Sequence, residues 1–125
     1  MDLDQFEASR LADPQADPRR HPRFKMDIEV AIFSHTAGKA IGRMVDISES
    51  GIAAILRTET PLGELVQLSF SLPLGEVEIG ALVRQRNAFR YGFEFVEQGS
   101  ARELVERTCR RLFVDQAILG DSSLE

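Results

Sequence analysis

Arg19, Arg20 and Arg23 place three guanidiniums within five residues of a 125-residue chain whose formal net charge is −5. A guanidinium is a planar fork of donors, and it matches both phosphate oxygens and the O6/N7 edge of guanine. Downstream stand Asp46, Ser48 and Gly51. A carboxylate accepts from the N1 and N2 hydrogens of guanine, and a hydroxyl gives or accepts one further bond. Two residues apart, Asp46 and Ser48 are expected to project from the same side of an extended strand end. Gly51 would allow φ > 0 or a close approach of backbone to ligand. Each stretch also has a plainer reading. The arginines suit a solvated basic linker, and Asp, Ser and Gly are the residues an ordinary β-turn uses for its own hydrogen bonds.

The elements that must position these groups follow from the hydrophobic period. Pro18 and Pro22 bound and interrupt the arginine stretch, so an extended or turned arm is expected rather than a helix. Residues 1–17 are polar, acidic and proline-containing, and are read as a flexible segment. From Asp27 the pattern has period two, with Ile28, Val30 and Ile32 on one face. After a turn at residues 35–39, Ile41, Arg43, Val45 and Ile47 are assigned to one face of a second strand, which Arg43 breaks. Ile52 to Leu56 reads as a short apolar strand. Val66, Leu68, Phe70 and Leu72 form the clearest alternation, followed by Val77, Ile79, Ala81 and Val83, then by Tyr91, Phe93 and Phe95. About six short antiparallel strands suggest a small barrel or sandwich.

The period changes at Ser100. Ser100 and Glu103 fit a capping box, and Ala101, Leu104, Val105, Thr108, Cys109, Leu112 and Phe113 follow helical spacing. The helix is expected to stop before Gly120 and to lay its stripe on the open face or mouth of the barrel. The domain reading is thus residues 1–17 flexible, 18–118 an all-β barrel with a C-terminal helix, and 119–125 a tail.

Composition excludes several functions. A sequence pI near 5.1 is wrong for nonspecific nucleic-acid binding. No run of about 18 apolar residues is available for membrane insertion. The acidic start, Met1-Asp2-Leu3-Asp4, does not look like a secretory signal. The single cysteine, Cys109, forms no intrachain disulfide, so a cytoplasmic protein is expected. Neither His21 and His35 nor any serine or cysteine stands in a metal-ligand or nucleophile pattern, and no enzyme activity is expected.

Arg19-x-x-x-Arg23 followed by Asp46-x-Ser48-x-x-Gly51, with one strand pair between them, resembles the PilZ domain family, the bacterial receptor module for cyclic di-GMP. The resemblance spans roughly residues 18 to 115. It implies a six-stranded antiparallel β-barrel with a helix after the last strand. It also implies that Arg19 and Arg23 bind phosphates and guanine edges, that Asp46 and Ser48 contact a guanine, and that Gly51 shapes the turn. Arg20, beside the first defining arginine, is expected to touch the ligand, and Arg84 or Arg86 is a candidate for an extra contact. The function implied is a cyclic di-GMP receptor whose arginine arm orders on binding and which signals to an effector protein in motility, exopolysaccharide or biofilm control. The alternative is an interaction adaptor on the same fold with little affinity for the nucleotide.

Overall fold

The computed structural model describes residues 21–124, with side chains through Gln116. Arg19, Arg20 and the expected flexible segment 1–17 lie outside the described residues. Six strands follow in order: β1 (Phe24–Ser34), β2 (Gly38–Ile47), β3 (Gly51–Ile55), β4 (Leu65–Leu72), β5 (Gly75–Asn87) and β6 (Arg90–Phe95). All pairings are antiparallel, and the sheet closes on itself in the order β1-β2-β3-β6-β5-β4. Closure removes the free edges that an open sheet of this size would leave.

The period-two patterns turn inward as expected on most strands. Val30, Ile32, Leu68, Val77, Ile79 and Val83 are buried, as are Tyr91, Phe93 and Phe95. Tyr91 keeps its polar end satisfied, because its hydroxyl accepts the Thr60 amide at 3.2 Å. On β2 the inward face is not the expected one. Ala40, Met44 and Ile47 are buried, whereas Ile41 is 51% exposed, and Arg43 points outward to pair with Asp27 at 2.8 Å. The cause is a register shift: Met44 faces Ala54 and Asp46 faces Ala53, so Val45 is an extra residue on β2. A bulge of this kind reverses the alternation, which carries both Met44 and Ile47 into the core.

The antiparallel winding gathers the starts of β1, β3 and β5 and the ends of β2, β4 and β6 at one end of the barrel. Phe24 pairs with Ile47, Ile47 with Ile52, and Leu72 with Gly75. The chain therefore enters the barrel, makes the 48–50 turn and leaves β6 at the same end. The departing chain forms the helix α1 (Ser100–Leu124), which packs against β5 and β1. Val105, Thr108 and Cys109 are buried on its stripe, while Phe113 is 58% exposed. Two expectations about this helix are corrected. The Glu103 amide bonds to the carbonyl of Gly99, at 2.9 Å, so Gly99 rather than Ser100 opens the helix. The helix also runs through Gly120 to Leu124 instead of stopping. A glycine costs a helix only about 1 kcal/mol, and no proline follows it to end the helix.

At the far end, Glu64 secures the β1–β2 hairpin. It accepts Ser34 Oγ at 3.0 Å, Thr36 Oγ1 at 2.9 Å and the Thr36 amide at 3.1 Å. Partial burial works against its charge, but these donors outweigh that and hold its carboxyl below its ordinary value of 4.5. A lowered carboxylate contributes stability that is present above the ordinary value and is lost as pH falls through the folded one. Glu64→Gln should therefore flatten the acid limb of a melting-temperature curve below about pH 5. An unchanged acid limb would show that the carboxylate does not stabilise the hairpin.

Candidate functional site

The bulge that reverses β2 also aims Asp46. Its neighbours in the sheet are Lys25 on β1 and Ala53 on β3, and Ala53 in turn pairs with Gly92 on β6. Ala53 and Gly92 are small, so long side chains can cross above them. Two do. Arg23, at the entrance to β1, donates Nε and Nη2 to one oxygen of Asp46, at 2.9 and 2.7 Å. Arg90, the first residue of β6, donates Nη2 to the other oxygen at 2.9 Å. Asp46 is left 14% exposed, while Arg23 and Arg90 keep 41% and 51% of their side-chain surface. One carboxylate and two guanidiniums carry a net charge of about +1, since arginine stays protonated. The cluster is a local excess of positive charge in an otherwise acidic protein.

Ser48 does not share the side of Asp46. Ile47 ends β2 inside the core, and Ser48 is fully buried. Its hydroxyl accepts the amides of Ser50 and Gly51, both at 3.2 Å, and lies 3.1 Å from the Ser50 hydroxyl. The Ser48 amide donates to the Gly51 carbonyl at 2.8 Å, and the Phe95 amide donates to the Ser50 carbonyl at 2.9 Å. In this structure the Ser48 side chain stabilises the corner. Of the two uses of glycine considered for Gly51, close approach applies rather than positive φ, but the approach is to protein. A Cβ on Gly51 would stand 2.0 Å from the Phe93 carbonyl oxygen.

A further partner of the turn comes from the helix. Arg102 Nε donates to the Glu49 carbonyl at 3.1 Å. On the same helix, burial pushes the Cys109 thiol up to about 12, with Glu49 adding to the effect and Arg23 opposing it. The thiol is thus inert, as expected for a buried cysteine on an apolar stripe.

Arg84 and Arg86 lie on the outgoing half of β5 and do not join Asp46. Arg84 pairs with Glu94 at 3.0 Å. Arg86 reaches Glu59 at 3.4 Å and covers the Tyr91 ring. Of the residues expected from the sequence, the structure brings together Arg23 and Asp46 and sets Ser48 and Gly51 in the adjoining turn. It adds Arg90, which the alternation of Tyr91, Phe93 and Phe95 leaves on the outer face of β6. The missing signal was the strand order: β6 lies beside β3, not beside its sequence neighbour β5 alone.

Comparison with known proteins agrees with this fold. The family model of the PilZ domain matches residues 17–113. No curated protein matches the chain. Among solved structures, the PilZ domain of YcgR from Escherichia coli, determined with c-di-GMP, is similar at 16% identity and a TM-score of 0.63, over 82% of this chain and 97% of that one. The inhibitor of motility MotI/DgrA from Bacillus subtilis is similar at 22% identity and a TM-score of 0.65, over 78% of this chain and 52% of that one. MrkH of K. pneumonia, in complex with c-di-GMP, is similar at 18% identity and a TM-score of 0.59, over 84% and 55%. The chain thus matches about half the length of MotI and of MrkH.

Proposed function

We propose, because the chain belongs to the PilZ domain family, that it is a non-enzymatic receptor for cyclic di-GMP. The observation that carries the reading is the Asp46 carboxylate held between Arg23 and Arg90. Each group in that cluster has a matching group on the ligand. A guanine presents N1–H and N2–H to the carboxylate, and each phosphodiester presents an anion to a guanidinium. Binding is then an exchange of partners. Guanine takes the oxygens of Asp46, and the released arginines turn to phosphate or to the O6/N7 edge. The exchange starts from exposed ion pairs worth about 0–1 kcal/mol each, so little is lost in opening them.

In this reading Arg19 and Arg20 extend the arm over the ligand beside Arg23. Ser48 and Gly51 act by holding the turn at the height that Asp46 requires, with Ser48 contributing through the corner it closes. Ordering of the arm on binding would cost entropy, and an affinity in the micromolar range, about −8 kcal/mol, is expected. The signal passes to an effector protein, in a cytoplasmic pathway such as motility, exopolysaccharide or biofilm control. The similarity to YcgR and MrkH, both solved with c-di-GMP, supports the choice of ligand.

Titration calorimetry with nucleotide-free protein tests the proposal: heat of binding with cyclic di-GMP and none with GTP is expected. Arg90→Ala should weaken the interaction by about 1 kcal/mol or more, the lower range for a charge-assisted hydrogen bond less the latch it gives up. Absence of binding by the wild type would favour the adaptor reading, in which the satisfied Arg23–Asp46–Arg90 cluster is simply a surface clasp. Wild-type affinity in Arg90→Ala would remove Arg90 from the site without removing the ligand.

A further inference from the structure

The residue that ties the helix to the site is Arg102, in the first turn of α1. Its side chain is only 16% exposed, unusual for an arginine on a surface helix. Every described contact holds it in one pose. Nε donates to the Glu49 carbonyl at 3.1 Å and Nη1 to the Glu97 carbonyl at 3.4 Å. Its guanidinium carbon lies 5.8 Å from the centre of the Phe95 ring, and Glu106 is 3.8 Å away on the next turn. Glu49 lies inside the Asp46–Gly51 stretch. The carbonyls of Ser50 and Gly51 are taken by the amides of Phe95 and Ser48. Arg102 supplies the donor for the Glu49 carbonyl from outside the barrel.

We propose that Arg102 is a positioning residue for the ligand site: it fixes the 48–51 turn to the first turn of α1, so that affinity depends on the helix and occupancy is felt by the helix. The inference rests on the cyclic di-GMP reading for its second half only. A guanidinium suits the task because one planar group bonds two carbonyls from different segments while stacking on an aromatic ring. The bond to Glu49 ties the helix to the end of the barrel where the Arg23 arm and the 48–51 turn also lie, and the bond to Glu97 closes the linker onto the first turn of the helix. Whatever the helix contributes to the turn's position, the turn must return to the helix, since coupling between sites is reciprocal.

Arg102→Ala, Arg102→Lys and the wild type are compared by amide hydrogen exchange and by calorimetry with cyclic di-GMP. Without ligand, Arg102→Ala should speed exchange at the amides of Ser50, Gly51 and Phe95, whose bonds form the turn, and leave the far hairpin amide of Ala37 unchanged. Equal rates at all these amides would overturn the proposal whether or not the nucleotide binds. With ligand, Arg102→Ala should bind about 5- to 20-fold more weakly, and Arg102→Lys should recover part of the loss by reaching one carbonyl. In the wild type, saturating nucleotide should slow exchange across residues 103–109, and Arg102→Ala should abolish that response at equal saturation. A variant that melts earlier yet keeps wild-type affinity and the helix response would show a merely structural arginine and would overturn the proposal. Failure of the wild type to bind at all would strike the cyclic di-GMP reading, and the ligand-free exchange result would still decide the role of Arg102.

Discussion

Asp46→Ala should weaken cyclic di-GMP binding by about 1–3 kcal/mol, roughly 5- to 150-fold, the value of a good bidentate base contact. The melting temperature should fall by only a few degrees. Asp46 is bonded to Arg23 and Arg90, but both arginines are exposed enough to be solvated when their partner is removed, and such pairs add at most about 1 kcal/mol each. The loss will not appear equally for every ligand. Without the carboxylate, Arg23 and Arg90 are free for phosphate before the ligand arrives, which offsets part of the missing guanine contact. Selectivity is therefore the sharper readout. Adenine has no N1–H to offer a carboxylate, so the preference for cyclic di-GMP over cyclic di-AMP should shrink in the variant. Calorimetry with both dinucleotides measures it. A variant with unchanged affinity and unchanged preference would show that Asp46 does not read the base.

Gly51→Ala should do the reverse, striking stability first. A Cβ at this position would lie 2.0 Å from the Phe93 carbonyl oxygen, 3.0 Å from its carbon and 3.2 Å from Glu94 Cα. All three are backbone atoms of β6, which pairs with Gly51 through Glu94 and is held on its other side by β5. No side chain can rotate away to make room, so β3 and β6 must separate locally. Overpacking of this kind costs about 3 kcal/mol or more, and the midpoint of thermal unfolding should fall by roughly 10 °C. Denaturant unfolding followed by circular dichroism checks this. A loss below about 1 kcal/mol would mean that the β3–β6 pair is more yielding than its geometry. Taken as a pair, the two substitutions separate the residue that would recognise the ligand from the residue that builds its support.

The barrel was legible because most of its strands bury one face and leave the other to water. Four of the six core faces could be read from alternation, down to Tyr91, Phe93 and Phe95, and β3 reads instead as a short apolar run. The face of β2 could not. The pattern Ile41, Arg43, Val45, Ile47 has period two and is broken only at Arg43, but a single extra residue at Val45 reverses the register. The arginine at 43 was the warning, since a strand face broken by a charge is more often the outer one. Site residues divide in the same way. Arg23 and Asp46 stand out by type and spacing, and the structure brings them into contact. Arg90 and Arg102 reach the site from β6 and α1, 44 and 53 residues from their partners. Their roles depend on closure of the sheet in the order β3-β6-β5 and on the angle of the helix, which are properties of the whole fold. Ser48 has the right identity for ligand contact, but strand β2 ends one residue before it, and its hydroxyl is absorbed by the corner.

The Arg23–Asp46–Arg90 cluster has a consequence for how such a site behaves in electrolyte. A basic surface that simply waits for a dianion loses affinity steeply as ions are added, because screening weakens the one attraction present. Here the arginines already have an anion, and an anionic ligand would have to compete with it. Added ions weaken the internal pairs along with the external ones, and the two effects partly cancel. Occupancy would then follow the concentration of the nucleotide more than the ionic strength of its surroundings.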